Sequence, residues 1–256
     1  MRPFFARRSA LLLSIAPALL AGASLPASAF SGACASDGQP PPRVLVERFL
    51  SADCERCWGE APAASPGGSA LALDWIVPGR LGDDAPLSAA ATRDGLERLE
   101  TLRRGPPATT DTAVTDVLPA DRAGRNAGRL RVGMGPPLND YVGATMAFTP
   151  PRANNAARTA RPGTPLSFTL VLIETVPAGA EGNAAERHIV RNALQGTWTA
   201  DAGARRAGWS ELRPMRVPDG ARVERLGVVG WVQDAGGNVV AAARAQCVAE
   251  GAIPGK

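Results

Sequence analysis

Aromatic residues make up only 5% of this 256-residue chain, which also holds a single histidine and a single lysine. Any Ser/His/Asp apparatus would have to use His188, which lies in a strand-like run where a structural role is favoured. Glycine and proline are abundant instead, with 28 and 23 residues against a combined average share of roughly 12%. The connections are therefore turn-rich, and a bundle of long helices is disfavoured.

The chain has no apolar run long enough to span a bilayer, since residues 10–20 are too short for that. This run follows Arg2, Arg7 and Arg8 and precedes Ala27-Ser28-Ala29, the small-x-small form of a signal-peptidase site. Residues 1–29 are thus a predicted signal peptide. We expect a mature chain that begins at Phe30 and is periplasmic or secreted.

Export lowers the formal charge from +4 to +1, because the leader carries three arginines and no acidic residue. The remaining sequence has no basic stripe interleaved with aromatic residues. Nucleic acid and anionic membrane surfaces are therefore weak candidates as partners, and no membrane span is predicted.

Four cysteines in an exported chain predict two disulfides, for which three connectivities exist. Cys54 and Cys57 form a C-x-x-C that residues 43–50, a β-rich run, deliver to the end of a strand. If a helix begins at this pair, its two cysteines lie on one face within disulfide reach, and the helix N-terminus favours a thiolate at Cys54. Cys34 and Cys247 remain, and a structural disulfide between them is favoured.

The C-x-x-C has several possible uses. Covalent haem attachment is excluded because Trp58 stands where a histidine is required. Zinc is disfavoured because the sequence offers one C-x-x-C and not two. A plain structural disulfide and a redox-active pair both stay open, with Cys54 and Cys57 as the catalytic residues in the second case. No cofactor and no metal site are predicted.

Residues 43–128 predict an α/β layer fold. A β-rich run at 43–50 is followed by a continuous apolar run at 69–77, typical of a strand buried on both faces. Residues 87–102 predict an amphipathic helix, and a further strand is expected near 112–117.

From residue 129 onward, short strand-like runs alternate with loops and predict a β-sandwich over residues 129–247. Residues 234–238 (Asp-Ala-Gly-Gly-Asn) predict a hairpin turn. Residues 30–42 are expected to form an extended linker, and residues 248–256 a tail.

Residues 44–57 read Val-Leu-Val-Glu-Arg-Phe-Leu-Ser-Ala-Asp-Cys-Glu-Arg-Cys. This segment resembles the opening of the secreted thioredoxin-like proteins of domain of unknown function 1223, although Trp58-Gly59 replaces their usual Pro-Pro. Weaker likeness continues at 74–75, 135–143, 187–191 and 231–234. The resemblance implies a thioredoxin-like α/β N-terminal domain, a β-domain after it, a periplasmic location and no established reaction.

Two functions follow as hypotheses. The first is an exported thiol-disulfide oxidoreductase whose partner is a periplasmic thiol or disulfide protein, with Cys54 as the attacking residue and Cys57 as the resolving one. The second is a non-enzymatic periplasmic binding or envelope protein in which both disulfides are structural.

Overall fold

A computed structural model describes residues 34–60, 69–118, 128–150, 165–199 and 208–247. The predicted signal peptide and the predicted tail lie outside the described residues. Strands dominate, accompanied by the helices α1 (Glu55–Gly59) and α2 (Arg93–Thr101). Within the described ranges, short 3-10 helices lie at Gly82–Asp84, Ser88–Ala90 and Val223–Arg225.

The strands form two sheets. The first has the spatial order β12 (Gln246–Cys247), β1 (Cys34–Ala35), β5 (Arg129–Leu138), β6 (Tyr141–Thr149) and β9 (Trp209–Arg216). The second has the order β11 (Val239–Arg244), β10 (Leu226–Gln233), β7 (Leu166–Val176), β8 (Arg187–Trp198), β3 (Ala70–Val77), β2 (Val44–Ser51) and β4 (Thr110–Asp116).

The expectation of an α/β thioredoxin-like N-terminal domain is wrong. Strands β2, β3 and β4 do not form a helix-covered sheet of their own, because β3 pairs in parallel with β8 at Asp74 and Ile189. They continue the sheet that holds β7, β10 and β11, so the chain is mostly β with two sheets. The apolar sequence of β3 indicates that both of its faces are buried. It does not indicate whether helices or other strands bury those faces, nor which strands pair with β3.

Several individual elements are confirmed. The buried strand expected at 69–77 is β3, and the hairpin at 234–238 joins β10 to β11 with Gly237 at a φ of 82°. The helix expected at 87–102 is shorter, because Ala91 and Thr92 are extended and divide it into a 3-10 turn and α2.

The two sheets pack face to face around one apolar cluster, which includes Val132, Met146, Leu170, Val228 and Ala243. A disulfide joins Cys34 of β1 to Cys247 of β12, which are directly opposite in the antiparallel pairing. The bond spans 213 residues of sequence. In the chain-entropy model a loop of that size corresponds to about 5 kcal/mol of stabilisation.

The seven-stranded sheet curves until its two edges meet. Beyond β4, Val117 forms a parallel bridge with Val239 of β11, and the Leu118 N–H donates to the Val239 carbonyl at 2.8 Å. A second apolar cluster contains residues from all seven strands together with Leu99 of α2. Helix α2 therefore covers the concave face of this sheet.

A buried ion pair fixes α2 there. Arg98 donates from Nε to Glu47 Oε2 at 2.8 Å and from Nη2 to Glu47 Oε1 at 2.7 Å. Its Nη1 donates to Gln233 Oε1 at 3.3 Å, and its guanidinium lies 5.1 Å from the centre of the Trp231 ring. The helix thus links β2 to β10, which the sheet order separates by three strands.

Replacing Arg98 by methionine is expected to lower the free energy of unfolding by about 3–5 kcal/mol, because Glu47 would stay buried without its cation. Urea denaturation measures the change. The control is Arg104→Met, since the Arg104–Asp111 pair is more than a third exposed and should contribute less than about 1 kcal/mol. Equal losses in the two variants would contradict this account.

Candidate functional site

The Cys54–Cys57 disulfide lies directly after β2, at the carboxyl end of that strand. The Cys54 N–H donates to the Ser51 carbonyl at 3.0 Å, and the Cys57 N–H donates to the Cys54 carbonyl at 3.1 Å. Cys54 is the N-cap residue of α1, which is only five residues long. The structure therefore joins the two cysteines that the sequence singled out, within one tight turn.

Both cysteines are buried, Cys54 at 8% exposed and Cys57 at 5%. They pack in a third apolar cluster, which also contains Leu50, Ala52, Ile76, Ala85, Val176 and Ile189. Little of the disulfide is therefore exposed to solvent, and Cys54 is the slightly more exposed partner.

Arg187 of β8 holds the C-terminal end of α1. Its Nη2 donates to the Trp58 carbonyl at 2.6 Å and also to the Glu60 carbonyl. Its guanidinium lies 4.9 Å from the centre of the Trp58 ring, and its Nε donates to Asn183 Oδ1 at 3.0 Å. The Arg187 side chain is fully buried, which strengthens these contacts relative to those of an exposed arginine.

Asp74 of β3 provides the countercharge for this arginine. Its Oδ1 accepts from Arg48 Nε at 2.7 Å and lies 3.6 Å from Arg187 Nη1. Burial raises the pKa of Asp74 above its ordinary value, although the charges of Arg48 and Arg187 oppose that shift. Burial also lowers the pKa of Arg187, and the nearby Arg48 charge acts in the same direction.

The N-terminal side of the site is held by Asp53. Its carboxylate accepts from the backbone N–H of Arg80 at 2.8 Å and of Leu81 at 3.2 Å. A Cβ atom at Gly79 would overlap this carboxylate, so glycine is required for the close approach. The turn that carries Cys54 is thereby tied to the loop after β3.

A cavity of about 350 Å³ adjoins α1. Glu55 and Trp58, the residues that directly follow the two cysteines, both line it. The cysteines themselves do not. The cavity therefore adjoins the segment that carries the disulfide without being lined by the two cysteines.

His188 lies beside Arg187 but takes no part in the site. Arg244 Nη1 lies 3.0 Å from His188 Nε2, and because arginine can only donate, Nε2 is the acceptor. The proton is therefore on Nδ1, which lies 3.2 Å from Thr175 Oγ1. Burial, assisted by the Arg244 charge, lowers the pKa of His188 to about 4. A neutral ring with both nitrogens engaged is structural, as its position in a strand suggested.

Within the described ranges, no group of three or more His, Cys, Asp or Glu side chains is placed to hold a metal ion. The helices of the described part of the chain do not reach the length and apolarity that crossing a bilayer requires.

Cys54 and Cys57 were found from sequence, whereas Arg187, Asp74, Asp53 and Asn183 were missed as parts of the site. The sequence did contain one signal, since Asp74 is the one carboxylate inside the apolar strand β3. A buried carboxylate needs a cation nearby. Nothing in the local sequence indicated that Arg187 would supply it.

Replacing Arg187 by methionine is expected to loosen α1, because the Trp58 and Glu60 carbonyls lose their shared donor. Amide hydrogen exchange in α1 should become faster, and the free energy of unfolding should fall by about 2–4 kcal/mol, because two carbonyls lose a charged donor while Asp74 keeps Arg48. The control is Arg129→Met, because the Arg129 side chain is 70% exposed. Unchanged exchange in α1 would show that the arginine does not hold the helix.

Because folding lowers the pKa of His188, we predict that the free energy of unfolding depends on pH. Between pH 6.5 and 4 the unfolded chain binds a proton that the folded chain does not, so stability falls as the pH is lowered through this window. The loss amounts to at most about 3 kcal/mol. The unfolding free energy of the unsubstituted protein minus that of His188→Gln should therefore decrease from pH 7 to pH 4. A difference that does not vary with pH would refute the assignment.

No protein-family model matches the chain, and comparison with curated proteins and with solved structures gives no significant match. The resemblance to domain of unknown function 1223 therefore stays a prediction. A function for this chain has to be argued from its own residues.

Proposed function

We propose that this chain is an exported protein that exchanges disulfides with a periplasmic or secreted partner protein through Cys54 and Cys57. The pattern of residues 1–29, which lie outside the described residues, supports export. The two disulfides among the described residues are compatible with an oxidising compartment.

The observation that carries the proposal is that α1 is fastened independently of its disulfide. Asp53 binds the loop after β3, Arg187 binds the Trp58 and Glu60 carbonyls, and Trp58 Nε1 donates to the Glu181 carbonyl at 2.8 Å. Opening the S–S bond breaks none of these contacts. The fold can therefore stay in place in both redox states, as a reversible dithiol–disulfide couple requires.

The two disulfides differ in what they contribute to stability. Cys54 and Cys57 are three residues apart, whereas 213 separate Cys34 from Cys247. In the chain-entropy model the short loop corresponds to about 2 kcal/mol and the long one to about 5 kcal/mol. The short bond is thus the one that the fold can lose.

A partner thiolate attacks Cys54 Sγ, the Cys54–Cys57 bond breaks, and Cys57 leaves as a thiolate. A second partner thiol then attacks the mixed disulfide and releases Cys54. Two electrons pass from the partner dithiol to the protein, and the reverse sequence oxidises a partner.

A binding or envelope protein with two structural disulfides is the alternative. The observation that favours it is the burial of both cysteines in an apolar cluster, which restricts the approach of a partner thiolate. Whether a partner thiolate can reach Cys54 therefore distinguishes the two functions.

The reduction potential of the Cys54–Cys57 pair is expected to lie well above the roughly −300 mV below which structural disulfides fall. Equilibration with dithiothreitol, followed by alkylation and peptide mass analysis, measures it for each disulfide. Cys57→Ser should trap mixed disulfides while the protein stays folded. The matched control is Cys34→Ser with Cys247→Ser, which should lower stability and leave the potential of Cys54–Cys57 unchanged.

The oxidoreductase function would be wrong if the reduction potential of the Cys54–Cys57 pair lies below about −300 mV and Cys54→Ser mainly lowers the melting temperature. The binding-protein alternative would then be the better account.

A further inference from the structure

The cavity beside α1 has apolar walls. Ile76, Leu87 and Ile189 contribute to them, together with the half-buried ring of Trp58. Its volume of about 350 Å³ is at the small end of the range for ligand pockets, which favours a single side chain over an extended cofactor.

The cavity is next to the reacting cysteines. Glu55 follows Cys54, Trp58 follows Cys57, and both line the cavity. Ile76, Leu87 and Ile189 belong to or pack against the cluster that contains the disulfide. An occupant of the cavity therefore lies beside the segment that carries Cys54.

Among the described residues that line the cavity, the arginine already has a partner. Arg191 lines the cavity, but Glu174 accepts from Arg191 Nε at 2.7 Å and lies 2.6 Å from its Nη2. This buried arginine is neutralised by its own carboxylate, so an anionic occupant is not favoured.

The rim is acidic. Glu55 has no ion-pair partner among the described residues, and Asp219 is almost fully exposed, with its nearest cation, Arg216, 4.0 Å away. Glu181 is paired with Arg225 at 2.8 Å, lies 3.7 Å from Arg222 Nε and therefore adds little negative charge. The opening therefore favours a basic residue beside the apolar group that enters.

We propose that this cavity is the subsite for a large apolar side chain next to the reacting cysteine of the partner protein, in a segment that also carries a basic residue. The inference rests on the proposed exchange function. The apolar side chain enters the cavity, the basic residue faces Glu55 and Asp219, and the partner sulfur is brought to Cys54.

The test uses the full chain carrying Cys57→Ser, and peptides whose cysteine is linked to thionitrobenzoate. The Cys54 thiolate attacks the peptide sulfur, the peptide–thionitrobenzoate bond breaks, and thionitrobenzoate leaves with the electron pair and is followed by its absorbance. The probes are five-residue peptides with leucine or alanine next to the cysteine and with arginine or glutamate in the flank. Glutathione linked to thionitrobenzoate is the small probe.

The leucine peptide is expected to react at least about ten-fold faster than the alanine peptide. Ala89, which is exposed and lines the cavity, provides the filling variant Ala89→Trp, in which this ratio should fall to near one. Ala108→Trp, at an exposed position that does not line the cavity, is the matched control and should keep the ratio. Asp219→Lys should reduce the preference for arginine over glutamate by about two- to five-fold.

Two failures are distinguishable. Equal rates for all probes, with glutathione reacting, would overturn the subsite and leave the exchange function standing. No reaction with any probe, glutathione included, would overturn both.

Discussion

The pairing of β8 with β3 is the constraint on which the site depends. It places Arg187 and Asp74 on neighbouring strands, with Arg187 Nη1 3.6 Å from the Asp74 carboxylate. A carboxylate buried this deeply needs cations, and the second of them, Arg187, also reaches the carbonyls at the end of α1. The charge that stabilises the sheet thus also positions the segment that carries the disulfide.

The sequence predicted the elements whose own residues decide their structure. The apolar run of β3 and the glycines of the β10–β11 turn are of this kind. It did not predict which strands become neighbours, because pairing is decided by contacts distant in sequence. Arg187 and Arg191 lie two residues on either side of Ile189 in β8, and charged residues at such positions are typical of a solvent-facing strand, yet both arginines are buried against Asp74 and Glu174.

The candidate site was predictable only in its cysteines. Their spacing is a local signal, whereas the contacts that hold α1 join residues distant in sequence and involve largely backbone atoms. Every residue has a backbone carbonyl, so the sequence does not indicate which carbonyls will accept a hydrogen bond from Arg187. The contacts of Arg187 with Trp58 and Glu60 could therefore not be predicted. The same holds for Asp53, whose carboxylate accepts two backbone N–H groups.

The disulfide between β1 and β12 makes the backbone from Cys34 to Cys247 a closed covalent ring. A protease that cuts one peptide bond within this ring opens it without releasing a fragment, because both pieces remain joined through sulfur. A single nick therefore leaves the mass of the molecule unchanged apart from one added water. Losing a piece takes a second cut, or a cut together with reduction of this bond.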